Sequence, residues 1–512
     1  MQIIYSETKP LLKVSADTPA IDTAPIGIHE GMRVYPNTVE VYRQLRAVKA
    51  PVTSPINRRY KWAGKYTPFT HQKNTAAFLT LHRRAYVLND LGTGKTLSCI
   101  WAMDYLMQQG LVNRALILTP LSTVLSVWQD AFFTHFPHIK TLITHGQLKK
   151  ALIKDPKQFR DRQVFIANHE ATWDASLRAR LLKELKIDLL IVDEGSLFHA
   201  YGTNKFKGLR ALTQQIPNVW WMTATPTPNS PVDAWGQAFL MGTHKGIRLV
   251  EFRDLTMRQV NPGQWVARPG AEQHVASILS PSIRYKAEDC IDLPTLTYQT
   301  RQVPMTKDQI NAYKQLQKEA VLMTKAGMVT AVNQAVMITK LLQIACGVVY
   351  TEDRQEEVIE PTAKIAEIRE VLESTDSPVI LFVPFKSVIN YLAKTLQEYK
   401  PVLITGEVGM TERDGIVRDF QEGKTRLLIA HPKTTSHGIT LTRSSVIVWY
   451  CPVHSNDMYT QANGRIYRQG QTQHCSVVHL SSSDVETDIY RRLKEKQNVQ
   501  NLVLTLLTRG AG

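Results

Sequence analysis

The residues best placed to do chemistry run from Leu88 to Thr96, in the order Leu-Asn-Asp-Leu-Gly-Thr-Gly-Lys-Thr. Gly92 and Gly94, with Thr93 between them, let the chain curl so that several N–H groups point inward, a geometry that cradles phosphate oxygens. Lys95 would reach the β- and γ-phosphates, and the Thr96 hydroxyl would hold Mg2+. The strict G-x-x-x-x-G-K-[ST] spacing is not met, because Asn89 stands at its first glycine. A second group, Asp193-Glu194, ends the apolar run 187–192. Two adjacent carboxylates are costly to hold together without a cation. Beside a phosphate loop, Asp193 would bind Mg2+ through water, and Glu194 would orient and deprotonate an attacking water.

A third group is Gln461-Ala462-Asn463-Gly464-Arg465-Ile466-Tyr467-Arg468-Gln469-Gly470-Gln471. Arg465 and Arg468, three apart, would share one face of a helix. Their planar, permanently charged forks suit phosphate, and set against ATP they would act as fingers. Upstream, the Gln72 amide offers a donor and an acceptor together, matching an adenine edge, with Phe69 or Tyr66 packed on the ring. Thr223-Ala224-Thr225-Pro226-Thr227-Pro228-Asn229 ends another apolar run; its hydroxyls can sense the γ-phosphate and pass the change to a bound strand. Each segment alone also fits an ordinary turn, acidic strand end, proline-rich loop or solvated helix.

The elements that must position these groups are short buried strands alternating with helices. Apolar runs at 85–88, 115–119, 164–167, 189–192 and 219–223, with amphipathic stretches at 121–136 and 177–185 between them, predict a parallel sheet covered on both faces. Ligands in such sheets bind at the C-terminal ends of the strands, where the glycine turn sits. The alternation fades over 246–360, where 305–342 is helical in pattern. It returns at 379–383, 402–404, 427–430, 446–450 and 477–480. The expected organisation is an N-terminal arm or small appended unit (1–60), a first lobe (61–245), a basic and helical insertion (246–360), a second lobe (361–490) and a C-terminal helix (491–512).

The 512 residues carry a net charge of +16, which points to a polyanion partner, with nucleic acid the usual one. Arg43, Arg46, Lys49, Arg58, Arg59, Lys61 and Lys65 fall between 41 and 66 with no acidic residue among them. Tyr60, Trp62 and Tyr66 are interleaved, so bases could stack there; a solvated linker fits equally. The five cysteines are scattered without a C-x-x-C pair, so no zinc or disulfide framework is indicated. The first residues lack a signal-peptide pattern and no run is long enough to span a bilayer. The expected setting is intracellular, cytoplasmic or nucleoid-associated.

The ordered set of segments resembles superfamily two helicases and, within them, the Snf-type double-stranded DNA translocases in a minimal bacterial or viral form. L-G-T-G-K-T resembles their first motif, D-E-G-S their second, T-A-T-P-T-P-N with Asp233-Ala234-Trp235 their third, and Q-A-N-G-R-I-Y-R-Q-G-Q their sixth. Leu116-Ile117-Leu118-Thr119-Pro120 with Trp128 resembles a DNA-contacting segment, Ser436-His437-Gly438-Ile439 the fifth motif, and Ile291-Asp292-Leu293-Pro294 the exit from the first lobe. The resemblance implies two RecA-like lobes in tandem, α/β in class. ATP and Mg2+ would lie between them, held also by Gln461. Duplex or forked DNA would meet Thr119, Trp128, Thr225, Asn229, Ser436 and Gly438. Departures are Asn89 and Asp90 where two acidic residues are common, Ser196 for a histidine, Thr434-Thr435 where an arginine is common, and Cys451-Pro452-Val453-His454 for Trp-Asn-Pro. None removes a catalytic group. The implied activity is a DNA-stimulated ATPase that moves along duplex DNA and remodels protein–DNA complexes or forks. A strand-separating DNA or RNA helicase, an idle DNA-binding scaffold and a restriction-complex motor subunit stay open as alternatives.

Overall fold

The computed structural model describes residues 2–5, 11–261, 264–290, 292–325, 331–350, 356–435 and 439–495. Ser436, Gly438, Ile291 and the part of the expected C-terminal helix beyond 495 lie outside the described residues.

At the N-terminus β1 (Ile3–Tyr5), β2 (Leu11–Val14), β3 (Gly27–His29) and β4 (Met32–Pro36) form an antiparallel sheet ordered β1-β2-β4-β3. Leu12, Val14 and Tyr35 pack against Val41, Tyr42 and Leu45 of the helix Val39–Ala47. Within the stretch 1–60, expected as an arm or a small appended unit, this sheet spans residues 3–36, whereas Val39, Ile56 and Tyr60 already belong to the core of the first lobe. The strands of the sheet are too short to print a clear alternation on the sequence.

The basic, aromatic stretch that follows is a packing seam and not an open stacking platform. Tyr60 is buried and its hydroxyl donates to Asp104 Oδ2 at 2.5 Å. Trp62 meets Tyr60 and Trp101 edge-on at 5.3 and 5.7 Å. The Arg43 Nε donates to Thr80 O at 3.0 Å, and Arg58 lies over the Tyr5 ring. Of the three interleaved rings Tyr66 alone is largely exposed, at 64%.

The first lobe is built on β5 (Arg84–Val87), β6 (Ala115–Thr119), β7 (Thr141–Ile143), β8 (Val164–Asn168), β9 (Leu189–Val192) and β10 (Asn218–Met222). After them comes a separate antiparallel hairpin of β11 (Met257–Asn261) and β12 (Gln264–Ala267), then β13 (Ser282–Ile283). Seven of these strands make a parallel sheet ordered β13-β5-β10-β9-β6-β8-β7. Alternate side chains go to opposite faces. Tyr86, Leu116, Leu118 and Leu190 enter one core; Ala85, Val87, Ile117 and Ile191 enter the other. A strand buried on both faces has no polar side, which is why these segments read as unbroken apolar runs.

The second lobe is a parallel sheet of β14 (Leu296–Gln302), β17 (Val379–Phe382), β18 (Val402–Ile404), β19 (Leu427–Ala430), β20 (Val446–Trp449) and β21 (Cys475–Ser481). Its order is β14-β21-β20-β17-β19-β18. A short hairpin of β15 (Val348–Tyr350) and β16 (Glu356–Val358) precedes β17. The fold is therefore α/β with two parallel sheets in tandem.

The stretch 246–360 is not one insertion. Ser282–Ile283 pairs with Tyr86 and Val87 in the first sheet, while all of Leu296–Gln302 pairs along β21 in the second. Both strands lie at sheet edges. β14 is open enough to carry polar residues, Leu-Thr-Tyr-Gln-Thr-Arg-Gln, and so shows no apolar run. The helices Lys307–Lys325 and Ala331–Cys346 account for the expected helical part. Among the described residues no helix is long and apolar enough to cross a membrane.

Candidate active site

The loop after β5 turns through Gly92 at φ +79° and Gly94 at φ +77°, then enters the helix Lys95–Gln108. Both angles lie in the left-handed region that glycine adopts without strain. Gly94 also faces a close neighbour: a Cβ there would lie 2.1 Å from Gln72 Nε2. Lys95 Nζ folds back inside the loop, donating to Asn89 O at 2.9 Å and Asp90 O at 3.1 Å.

The loop is tied down by the residues that depart from the expected motif. Asn89 is fully buried; its Nδ2 donates to Thr75 Oγ1 at 3.0 Å and its Oδ1 accepts from Tyr285 N at 3.0 Å. Asp90 pairs with Arg284 at 2.7 Å and accepts from Ala287 N at 3.0 Å. Gln72 is spent on the chain itself. Its Nε2 donates to Thr93 O at 3.3 Å and its Oε1 accepts from Phe69 N at 3.0 Å. This corrects the expectation of an amide free for an adenine edge: in this geometry Gln72 holds the loop, helped by His71 Nε2 donating to Thr93 O at 2.9 Å.

Asp193 follows β9 directly. Its Oδ2 accepts from Trp128 Nε1 at 2.9 Å and Thr119 Oγ1 at 3.0 Å, and its Oδ1 accepts from Glu194 N at 3.0 Å. Thr119 and Trp128 are 0% exposed. Their expected role as DNA contacts is therefore corrected: both fix the carboxylate from inside the lobe. The indole reaches it because the segment Val124–Gln129 is wound as a π-helical turn between Leu121–Thr123 and Asp130–His135. Glu194 sits at φ +48°, a left-handed angle that costs a non-glycine residue about 1 kcal/mol. Burial, with Asp193 and Asp457 close by, pushes its carboxyl up to about 8. Burial also raises Asp193, against the pull of Trp128, Lys95 and Thr119, and lowers Lys95.

The second lobe brings Asp457 and Gln461 on the helix Asn456–Asn463, and Arg465 and Arg468 in the turns that follow it. The two arginines do not share a helix, because the helix stops at Asn463. They converge nonetheless. Arg465 Nη1 and Arg468 Nη1 both donate to Ile439 O, at 3.0 and 3.3 Å. Arg465 is 6% exposed, and burial together with Arg468 brings its guanidinium down to about 9.

The lobes meet tightly. A Cβ on Gly464 would lie 2.8 Å from Leu91 Cδ1, and one on Gly92 would lie 3.0 Å from Arg468 Cβ. Gln461 Nε2 donates across the seam to Glu194 Oε2 at 3.4 Å. The resulting cleft, about 350 Å³, is lined from one side by Lys95, Thr96, Asp193 and Glu194 and from the other by Arg465 and Arg468. Thr225, expected at a bound strand, is 1% exposed and donates instead to Asp457 across the seam. Asn229 is exposed, its N–H donating to Asp233 Oδ2 at 2.7 Å. Asp457, Arg284 and His71 were not anticipated. Their only trace in the sequence is a charged or polar residue beside a motif.

Two parallel-sheet lobes, with a lysine-bearing glycine loop and paired carboxylates on one facing arginines on the other, fit a nucleotide-hydrolysing core. The SNF2-related domain matches residues 71–347, and the helicase conserved C-terminal domain matches residues 363–470. The chain belongs to the SNF2-related family and is an ATPase of helicase superfamily two. It is 25% identical to putative protein p41 of Acyrthosiphon pisum secondary endosymbiont phage 1, over 87% of this chain and 99% of that protein. It is 20% identical to the putative ATP-dependent helicase/translocase YwqA of Bacillus subtilis and 24% identical to the ATP-dependent DNA helicase DDM1 of Arabidopsis thaliana. Those matches cover 91% and 81% of this chain but only 52% and 58% of the relatives, so the chain spans about half their length. Among solved structures, the Sulfolobus solfataricus SWI2/SNF2 ATPase core in complex with dsDNA matches at 20% identity and a TM-score of 0.42, covering 86% of this chain and 94% of that one.

Proposed function

We propose that this ATPase moves along duplex DNA and uses the movement to displace proteins or to work on forks. Lys95 and the loop amides would bind the ATP phosphates, Thr96 and Asp193 would hold Mg2+, Glu194 would take the proton of the attacking water, and Arg465 and Arg468 would complete the site from the second lobe. The donor set fits a hard cation: one hydroxyl and one carboxylate, all oxygen. Asp193 Oδ2 accepts two hydrogen bonds and Oδ1 one, so Oδ1 keeps one acceptor position through which the carboxylate would hold the cation. When bound, Mg2+ supplies charge neutralisation at the phosphates.

The observation that carries this reading is that the groups on Lys95, Glu194, Arg465 and Arg468 line one cleft although they come from two lobes. Such a site is complete only when the lobes close, so hydrolysis is tied to a relative movement that can ratchet a polymer. The net charge of +16 supports a nucleic-acid track, held through phosphates and therefore weakened by salt. Steady-state hydrolysis is measured with no nucleic acid, duplex DNA, forked DNA, single-stranded DNA and RNA, with Glu194→Gln as control. Triplex displacement on duplex DNA then tests movement. Stimulation by duplex or forked DNA with triplex displacement is expected. Stimulation confined to RNA or single strands would replace the translocase by a strand-separating helicase.

A further inference from the structure

Asp457 is a half-buried acid with no part in the scheme above. It stands in the first turn of the helix Asn456–Asn463, whose N-cap Ser455 already satisfies Met458 N. Its carboxylate looks across the seam instead. Oδ1 accepts from Thr225 Oγ1, at the end of the segment that follows β10 in the first lobe. Oδ1 and Oδ2 accept from Gln461 Nε2 at 3.1 and 3.2 Å. The same Nε2 points at Glu194 Oε2. The Gln461 amide thus has carboxylates on its donor side only, and its buried Oε1 has no hydrogen-bond partner among the described residues. An amide is turned by whichever groups can accept from its nitrogen. With two carboxyl groups on that side, its oxygen is turned away from them and lies buried without a partner among the described residues.

We propose that Asp457 is a positioning residue: it sets the orientation of the Gln461 amide beside Glu194 and does so only when Thr225 has docked across the closed seam. The cleft then reports closure to the hydrolytic base through one chain of hydrogen bonds, Thr225 to Asp457 to Gln461 to Glu194. The charges facing Asp457 from the packed elements are Arg465 and His199, which favour its ionised form, and Glu194, whose own carboxyl it helps to raise. This inference rests on Glu194 as the base.

The test is ATP hydrolysis by the full chain carrying Asp457→Asn, Thr225→Val, Thr225→Ser, the Thr225→Val/Asp457→Asn pair, and Glu194→Gln. Asn keeps the shape of Asp but has one acceptor oxygen in place of two and no charge, so the hold on the Gln461 NH2 is weakened. Asp457→Asn is expected to lower kcat about tenfold or more, with KM for ATP changed by less than about threefold. Thr225→Val should lower kcat in the same way, and Thr225→Ser, which keeps the hydroxyl, should restore it. The pair should be no slower than the slower single change, since both break one chain. A kcat for Asp457→Asn within about twofold of the parent at unchanged Tm, or single effects that multiply in the pair, overturns the proposal. Should Asp457→Asn lower Tm, the comparison of Thr225→Val with Thr225→Ser decides alone. Activity retained by Glu194→Gln would instead sink the assignment of the base, a result distinguishable from failure of the positioning chain.

Discussion

Replacing Trp128 by Phe separates the two roles this residue can play. The indole donates to Asp193 Oδ2 at 2.9 Å and is wholly enclosed. Phenylalanine keeps most of the packing and removes that one donor. A hydrogen bond to a charged group contributes about 1.5–3 kcal/mol. At about 1.4 kcal/mol per factor of ten, its loss lowers the share of chains with Asp193 correctly aimed by about tenfold to a hundredfold. Thr119 Oγ1, at 3.0 Å, still restrains the same oxygen, so the lower end is expected. The readouts are kcat at saturating ATP and DNA, equilibrium binding of a labelled duplex by fluorescence anisotropy, and Tm. The expected result is a kcat loss of about tenfold, unchanged duplex affinity and a modest fall in Tm. Weakened duplex binding with kcat intact would refute the reasoning and return Trp128 to the nucleic-acid surface.

Further expectations follow from the same geometry. Gly94→Ala puts a Cβ 2.1 Å from Gln72 Nε2 at a φ of +77°, so nucleotide affinity, read as KM for ATP or by titration, should fall by about tenfold or more. Lys364 Nζ meets Glu486 Oε1 at 2.6 Å, both groups being essentially inaccessible, and also donates to Tyr450 O. Glu486→Gln leaves an unpaired buried ammonium and should destabilise the second lobe by about 3–5 kcal/mol in urea unfolding, whereas Lys364→Met/Glu486→Leu should recover most of that loss. Cys346 and Cys451 bring Sγ atoms within 4.8 Å of the Glu486 carboxylate, but Lys364 already supplies the cation there, so added zinc should not raise Tm. Burial holds His479 down at about 4 against a free value near 6.5. The unfolded chain then binds a proton that the folded one refuses, so this stability is complete above pH 6.5 and is lost as pH falls towards 4. The loss amounts to about 3 kcal/mol and should vanish in His479→Gln, measured by denaturation at each pH.

What the sequence disclosed depended on burial. Strands covered on both faces, such as Leu189–Val192 and Leu427–Ala430, leave uninterrupted apolar runs, and they were legible to the residue. Strands at an edge were not: Ser282–Ile283 is two residues long, and β14 is largely exposed and polar. The glycine loop was legible because glycine adopts its positive φ angles without strain, and the carboxylate pair because its strand ends abruptly in charge. The DNA-contact assignments fared differently. Thr119, Trp128 and Thr225 carry polar atoms in apolar or proline-rich surroundings, a pattern that fits a groove contact and a buried hydrogen bond equally. Only the fold reveals that Asp193 and Asp457 stand opposite them. Asp457 itself was invisible for the same reason, since its partners lie 232 positions away in one case and across the seam in another.

The charges explain why the site belongs to neither lobe alone. With every group ionised, the first lobe contributes Lys95 against Asp193 and Glu194, an excess of one negative charge, and the second contributes Arg465 and Arg468 against Asp457, an excess of one positive charge. Burial raises all three carboxyl groups and lowers all three cations, so every one of them is short of solvation. Within one lobe that deficit has no complete remedy, because the local charges do not cancel. Across the seam they do, and at the reduced dielectric of a closed cleft the attraction is several times its value in water. Closure is thereby favoured by these groups themselves, and Glu194 and Arg465, which both line the cleft, tie the proposed chemistry to the docking of the lobes. Lobe association and hydrolysis should for that reason respond together to Arg465→Ala and to Glu194→Gln, whereas Trp128→Phe, which removes no charge, should slow hydrolysis and leave the seam intact.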